Sequence, residues 1–139
     1  MFVSVTRLHI RRWWFLPLFL LHTRRSIRQV QRQEGFLGGD LAPEPPRGFW
    51  TVTVWADEKA MRAFRNSGDH MKAMPRLLDW CDEASYIHWQ QEDDAVPTLA
   101  VAFERLRDSG KLSKVRHPSA AHLSGKTAPC GAPKPGLRL

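Results

Sequence analysis

His70 is the first residue of this sequence that could do chemistry. It follows Gly68 at the start of a stretch whose apolar residues, Met71, Met74, Leu77 and Leu78, recur at helical spacing. An imidazole there can act as a general base or an iron ligand facing a pocket. It can equally be a polar helix-start residue that ties a break between two helices. Arg65, five positions earlier, could hold a carboxylate through both arms of its guanidinium; a surface ion pair with Asp69 is the plainer reading. Trp50, Trp55 and Trp89 fall on two apolar segments and could wall a flat, apolar ligand. Such residues also fill cores and subunit interfaces. Asp79, Asp82 and Glu83 surround Trp80. Two of these acids could form an acid/base pair, although acids at a helix-to-strand turn are usually solvated.

Other chemistries lose support from what is missing. His9, His22, His88, His117 and His122 form no metal-binding spacing, and Cys81 and Cys130 belong to no Cys-x-x-Cys motif. The glycines of Gly35–Gly39 are not followed by the Lys-Ser/Thr of a phosphate loop. No Gly-x-Ser-x-Gly turn is present. Hydrolase, kinase and nucleotide-dependent dehydrogenase readings fall with these motifs.

The elements that must position these residues can be read from periodicity. Phe2–Ile10 alternates as a strand. Trp14–Gln33 repeats as a helix with Leu16, Leu20, Thr23, Ile27 and Val30 on one face, and Pro17 is tolerated in its first turn. Gly35–Gly39 enters a short second strand, and the prolines of Ala42–Gly48 mark a turn. Phe49–Trp55 is wholly β-branched or aromatic. Trp50, Val52 and Val54 point to one side of it; Phe49, Thr51, Thr53 and Trp55 point to the other. Asp57 caps a helix over Glu58–Asn66. A second short helix covers His70–Leu78, with a kink or restart expected at Pro75. Ala84–Trp89 is a fourth strand, and Thr98–Ser109 a closing amphipathic helix. The order β-α-β-β-α-β is ferredoxin-like: an α+β fold with a four-stranded antiparallel sheet and helices on one face. The aromatic strand would leave the other face wet, so a second copy packing sheet to sheet is expected to bury it.

Charge and composition bound the rest. The chain has 139 residues, enough for one domain, with a formal net charge of +7. Residues 1–33 hold seven of the 21 basic residues and residues 111–139 hold six, with no acid in either stretch; all 14 acids lie between them, against eight bases. A nucleic-acid binder concentrates positive charge on its folded face. This distribution argues against contact with nucleic acid or anionic membrane. Residues 1–110 are therefore read as the folded domain and 111–139, rich in Pro, Gly, Ser and Lys, as a flexible basic tail. The apolar run Trp13–Leu21 is about half a membrane span and lacks the small-residue site of a leader peptide, so a cytoplasmic location is expected.

The stretch Phe49–Trp89 resembles the spheroidene-monooxygenase-like proteins and, more broadly, the antibiotic-biosynthesis-monooxygenase group. The resemblance is carried by Phe49-Trp50-Thr51, by Ala60-Met61-x-x-Phe64-Arg65, and by Ser67-Gly68-x-His70. Ala73-Met74-Pro75-x-Leu77-x-x-Trp80-Cys81-Asp82-Glu83-Ala84-Ser85 adds to it, and it extends over most of residues 1–110. It implies a dimeric α+β barrel and a homodimer. It also implies an oxygenase-type activity on a hydrophobic small molecule, either haem-dependent or cofactor-free. The group also includes proteins with no assigned activity, so a non-enzymatic binding module of the same fold is the alternative. On this resemblance His70 is the residue for catalysis or haem ligation, Arg65 would anchor a charged end, and Trp50, Trp55 and Trp89 would shape the pocket.

Overall fold

The computed structural model describes residues 1–129, 131 and 133–139; Cys130, singled out above, lies outside them. Strand β1 (Phe2–Ile10) leads through a single 3-10 turn at Trp13–Phe15 into α1 (Leu16–Gln31). Then come β2 (Phe36–Glu44), β3 (Gly48–Trp55), α2 (Glu58–Arg65), α3 (Gly68–Trp80), β4 (Cys81–Gln90) and α4 (Leu99–Ser109). Three short elements finish the chain: β5 (Lys111–Leu112), α5 (Ala120–Leu123) and β6 (Leu137–Arg138). The sheet order is β5-β4-β1-β3-β2-β6, antiparallel throughout. Its four central strands, with α1 and the α2–α3 pair in the crossovers, make the ferredoxin-like arrangement that the sequence predicts.

Local chemistry sets the element ends. The Asp57 carboxylate accepts from the Ala60 amide at 2.8 Å, and the Thr98 hydroxyl accepts from the Val101 amide at 3.2 Å, so α2 and α4 begin on side-chain caps. Gly68 has φ +59° and turns the chain between α2 and α3, a conformation costly for any residue with a Cβ. Pro75 does not restart α3, which runs through to Trp80.

β2 continues to Glu44 through Pro43, beyond the expected turn. The Pro43 carbonyl accepts from the Lys134 amide at 3.0 Å. In an antiparallel strand the nitrogen faces the same side as the carbonyl, so the residue that lacks an N–H points away from β3 and costs no ladder bond.

The two faces of the sheet differ. Val3 and Val5 of β1 share one face with Trp50, Val52 and Val54 of β3, and all pack with Ala102 and Leu106 of α4 at zero exposure. This corrects the expectation of helices on one face only. The chain covers its second face with its own α4, so the wet face that motivated sheet-to-sheet pairing is absent. Some described residues of the stretch read as a basic tail make regular backbone contacts with the sheet. β5 pairs with β4, β6 pairs with β2, and the Ser85 hydroxyl donates to the Thr127 carbonyl at 2.6 Å. The open edges of β2 and β4 offer unpaired backbone groups, which two-residue strands can take up without any apolar periodicity. Among the described residues no helix is long and apolar enough to cross a membrane.

Candidate functional site

The other sheet face looks onto α1, α2 and α3. At one end it is closed by Phe2, Val30, Trp55, Met61 and Phe64, and at the other by Ile10, Phe19, Trp80 and Cys81. Between these apolar ends the strands place polar side chains inward. Register puts Ser4 between Thr53 and His88, and Thr6 between Thr51 and Tyr86. Side chains paired across strands share a face, so these six form a band under the helices. α1 answers it with His22, Thr23 and Ser26, all lining the same cavity of about 680 Å³. The helix presents Phe19 and Val30 to the core, while Leu20, expected on the inner face, is exposed.

A strand face under a helix layer is ordinarily apolar, because a buried hydroxyl without a partner costs about 1–3 kcal/mol. Here the Trp55 indole N–H donates to Thr53 Oγ1 at 2.9 Å, and Thr53 Oγ1 lies 3.4 Å from the Ser4 carbonyl. His22 Nδ1 is buried without a partner. A cavity that keeps such groups in its wall can meet the polar substituents of an apolar molecule, and its volume suits a ligand of drug-like size.

Burial favours the neutral form of the three histidines that line the cavity, His22, His70 and His88. The His70 ring donates from Nδ1 to the Arg65 carbonyl at 3.3 Å and its ring lies 4.6 Å from that of Phe64. Burial lowers its pKa below the ordinary value, and the nearby Arg65 charge adds to this against the opposing carbonyl bond. Burial likewise lowers His88, helped by Arg65, Arg62 and Lys111, and lowers His22, helped by Arg76 and Arg25. With Nδ1 carrying the proton, Nε2 of His70 is the free lone pair.

Gln29 fixes the segment that presents His70. Its Nε2 donates to the carbonyls of Phe64 at 3.2 Å and Ser67 at 2.8 Å, and its Oε1 accepts from the His70 amide at 2.9 Å. A Cβ on Gly68 would stand 3.0 Å from the Gln29 side chain, so the glycine also makes room for this clasp.

The structure brings together only part of the expected set. His70, Arg65 and Trp55 line the cavity. Trp50 and Trp89 are on the opposite face. Trp50 is fully buried there, its indole N–H donating to Glu44 Oε1 at 2.8 Å. Trp89 packs beside the α4 core, with the Arg105 guanidinium 4.6 Å from its ring centre. Strand alternation already separates Trp50 from Trp55. Asp82 and Glu83 also leave the cavity for the α4 side. Arg7, 3% exposed, donates to both oxygens of Glu44 at 2.8 Å and to Glu83 at 2.9 Å. His9 Nδ1 is 2.6 Å from Asp82. His9, Asp82 and Glu83 are close enough to share a cation, but the Arg7 guanidinium already occupies one oxygen of Glu83. Asp79 pairs with Arg116 at 2.8 Å on the surface. Ser4, Thr6, Thr51, Tyr86 and His88 were missed; their signal is the polar half of three alternating strands.

A cavity between a ferredoxin-like sheet and its crossover helices can be set beside known proteins. Residues 15–76 match the family model described as antibiotic biosynthesis monooxygenase. The chain has the fold of the antibiotic biosynthesis monooxygenases. A protein of Nitrosomonas europaea named for that family superposes with a TM-score of 0.59 at 17% identity, covering 67% of this chain and 100% of its own. SnoaB of Streptomyces nogalater, a cofactor-independent oxygenase, superposes at 0.54 with 17% identity, covering 66% of this chain and 93% of its own. A conserved protein of Methanosarcina mazei Go1 gives 0.58 at 16% identity, over 66% and 92%. No curated protein sequence matches the chain. At such identities the likeness to solved structures is one of fold. It supports the broader part of the resemblance, that to the antibiotic-biosynthesis-monooxygenase group.

Proposed function

We propose that this chain binds an apolar small molecule in the cavity under α1 and oxidises it with dioxygen. The observation that carries the reading is the band of hydroxyls and neutral histidines set into the middle of an otherwise apolar helix–sheet interface. His70 is the base. A neutral imidazole beside an acidic C–H takes its proton, and the carbanion that remains can pass electrons to dioxygen. Conversion of a ring CH₂ to C=O by one O₂ releases one water, so no outside reductant is required. The apolar ends of the cavity orient the ring system and exclude water. The likeness to SnoaB, itself a cofactor-independent oxygenase, is consistent with this chemistry.

Haem is the alternative occupant, and one side of the site fits it. Nδ1 of His70 is held on a carbonyl, so Nε2 would hold the iron. Arg65, five residues earlier at the end of α2, would hold a propionate. Bound haem would supply the oxygen-activating centre, and the chain would contribute the ligand and the apolar walls. Homodimerisation belongs to the same proposal. With α4 on the second sheet face, the surface we assign to it is the exposed apolar group of Trp13, Trp14, Leu18 and Leu21, and sedimentation velocity of the wild type and a Trp14→Ser variant tests it.

The test of function is oxygen uptake with a panel of phenols that carry acidic ring methylenes, together with the visible spectrum of protein produced with haem precursor. Turnover that drops by about 10²–10⁴ in His70→Ala supports the base assignment. A Soret band lost in His70→Ala moves the reading to haem. Binding without uptake or band leaves a non-enzymatic binding module.

A further inference from the structure

The cavity wall is unevenly charged. Arg62, Arg65, Lys111 and Lys114 line it against one acidic side chain, Glu58, and the last residue, Leu139; Glu58 is taken by Arg62 at 2.7 Å. Among the described residues Arg65, Lys111 and Lys114 have no carboxylate within ion-pair distance. Two of the three come from the segment after α4, which composition alone reads as a loose tail.

Their placement follows from register. Lys111 of β5 pairs with Tyr86 of β4, so the two side chains share the face that looks into the cavity. His88, two residues along β4, shares that face. The Ser113 amide donates to the Ala84 carbonyl at 2.9 Å, which carries the chain along β4 and brings Lys114 to the same wall. Arg65 approaches from the other side at the end of α2. Arg65, Lys111 and His88 all line the cavity, and both positive charges act on His88. Cations left unpaired next to an apolar chamber fit an anion whose body is apolar: the charge stays at the wetter rim and the rings go in.

We propose that the ligand of this cavity is an apolar ring compound bearing one ionised acid group, held between Arg65 and Lys111. This rests on the reading of the cavity as a small-molecule site, and it makes the β5 segment part of that site. An uncharged analogue would keep the apolar contacts and lose the charge-assisted bonds.

Two fluorescent probes separate these contributions. Anilinonaphthalene sulfonate and phenylnaphthylamine share the same ring skeleton and differ in the acid group. The wild type should bind the sulfonate at least about tenfold more tightly than the amine, the scale of one or two charge-assisted bonds. The double variant Lys111→Met, Arg65→Met should lose that preference while still binding the amine as before. Arg28→Gln, Arg32→Gln, which removes one arginine of α1 and the one that follows its last residue, both outside the cavity lining, should leave the preference intact. Equal affinities in the wild type overturn the inference, as does a preference that survives the first variant or disappears in the second. In those cases the amine still binds and the cavity reading stands. If neither probe binds, the cavity reading falls and the inference with it.

Discussion

Replacing Gln29 by Met should destabilise the protein by about 2 kcal/mol and loosen the cavity wall at His70. The side chain makes four bonds across the α2–α3 junction. It accepts from the His70 amide at 2.9 Å and donates to the Phe64 carbonyl at 3.2 Å, both partly buried. It also donates to the Ser67 carbonyl at 2.8 Å and to Ser67 Oγ at 3.2 Å, both at exposed positions. A partly buried bond contributes about 1 kcal/mol net. The exposed ones are replaced by water and add a few tenths, which gives about 2 kcal/mol in all. Methionine keeps the length of the side chain, so little of the loss is packing. Denaturant titration reads this as a lower midpoint at unchanged slope. Gln29→Glu discriminates further. It keeps an acceptor for His70 but turns a carboxylate toward two carbonyl oxygens, so it should be worse than Met at pH 7. A Met variant within about 0.5 kcal/mol of wild type, or a Glu variant as stable as wild type, would refute the clasp. Exchange of the His70 amide should quicken in the Met variant, because that proton loses its acceptor.

Other outcomes follow from the same geometry. Arg7→Met should cost about 3–5 kcal/mol, because Glu44 and Glu83 would be left nearly buried without their cation; calorimetric melting checks it. Trp50→Phe should lower stability and leave probe binding in the cavity unchanged, whereas Trp55→Leu should disturb both, since only Trp55 faces the cavity. Acidification should also destabilise the fold. His22, His70 and His88 have folded pKa values below the ordinary 6.5, so the unfolded chain takes up protons first as the pH falls. Stability should therefore drop as pH falls through about 6.5 and level off below the folded values. The drop should shrink in His70→Gln; melting temperatures between pH 7.5 and 5 measure it. Cys81, whose thiol is pushed up to about 12 by burial and by Asp82, should resist alkylation at pH 8 until the protein is unfolded.

Much of this architecture is local information. The alternation in Phe49–Trp55, the caps at Asp57 and Thr98, and the break at Gly68 act over a few residues. They are legible in the sequence because the forces that set them depend on nearest neighbours along the chain. With the strand–helix order they suffice for a ferredoxin-like fold, and they mark His70 and Arg65 at the junction where the site lies. Strand parity even contained the separation of Trp50 from Trp55.

Register and edges were decided by tertiary structure. That Ser4, Thr53 and His88 form one row depends on how β1 aligns with β3 and β4, and a slip of one residue would turn each of them to the other face. That α4 lies over Trp50 and Val52, covering the face a second copy would otherwise need to bury, depends on where the loop after Gln90 carries the chain. Lys111 and Lys114 reach the cavity through two backbone pairs on an open strand edge, an interaction that side-chain composition does not encode. Each of these contacts joins residues far apart in sequence, and its free energy arises only when the chain is folded around it.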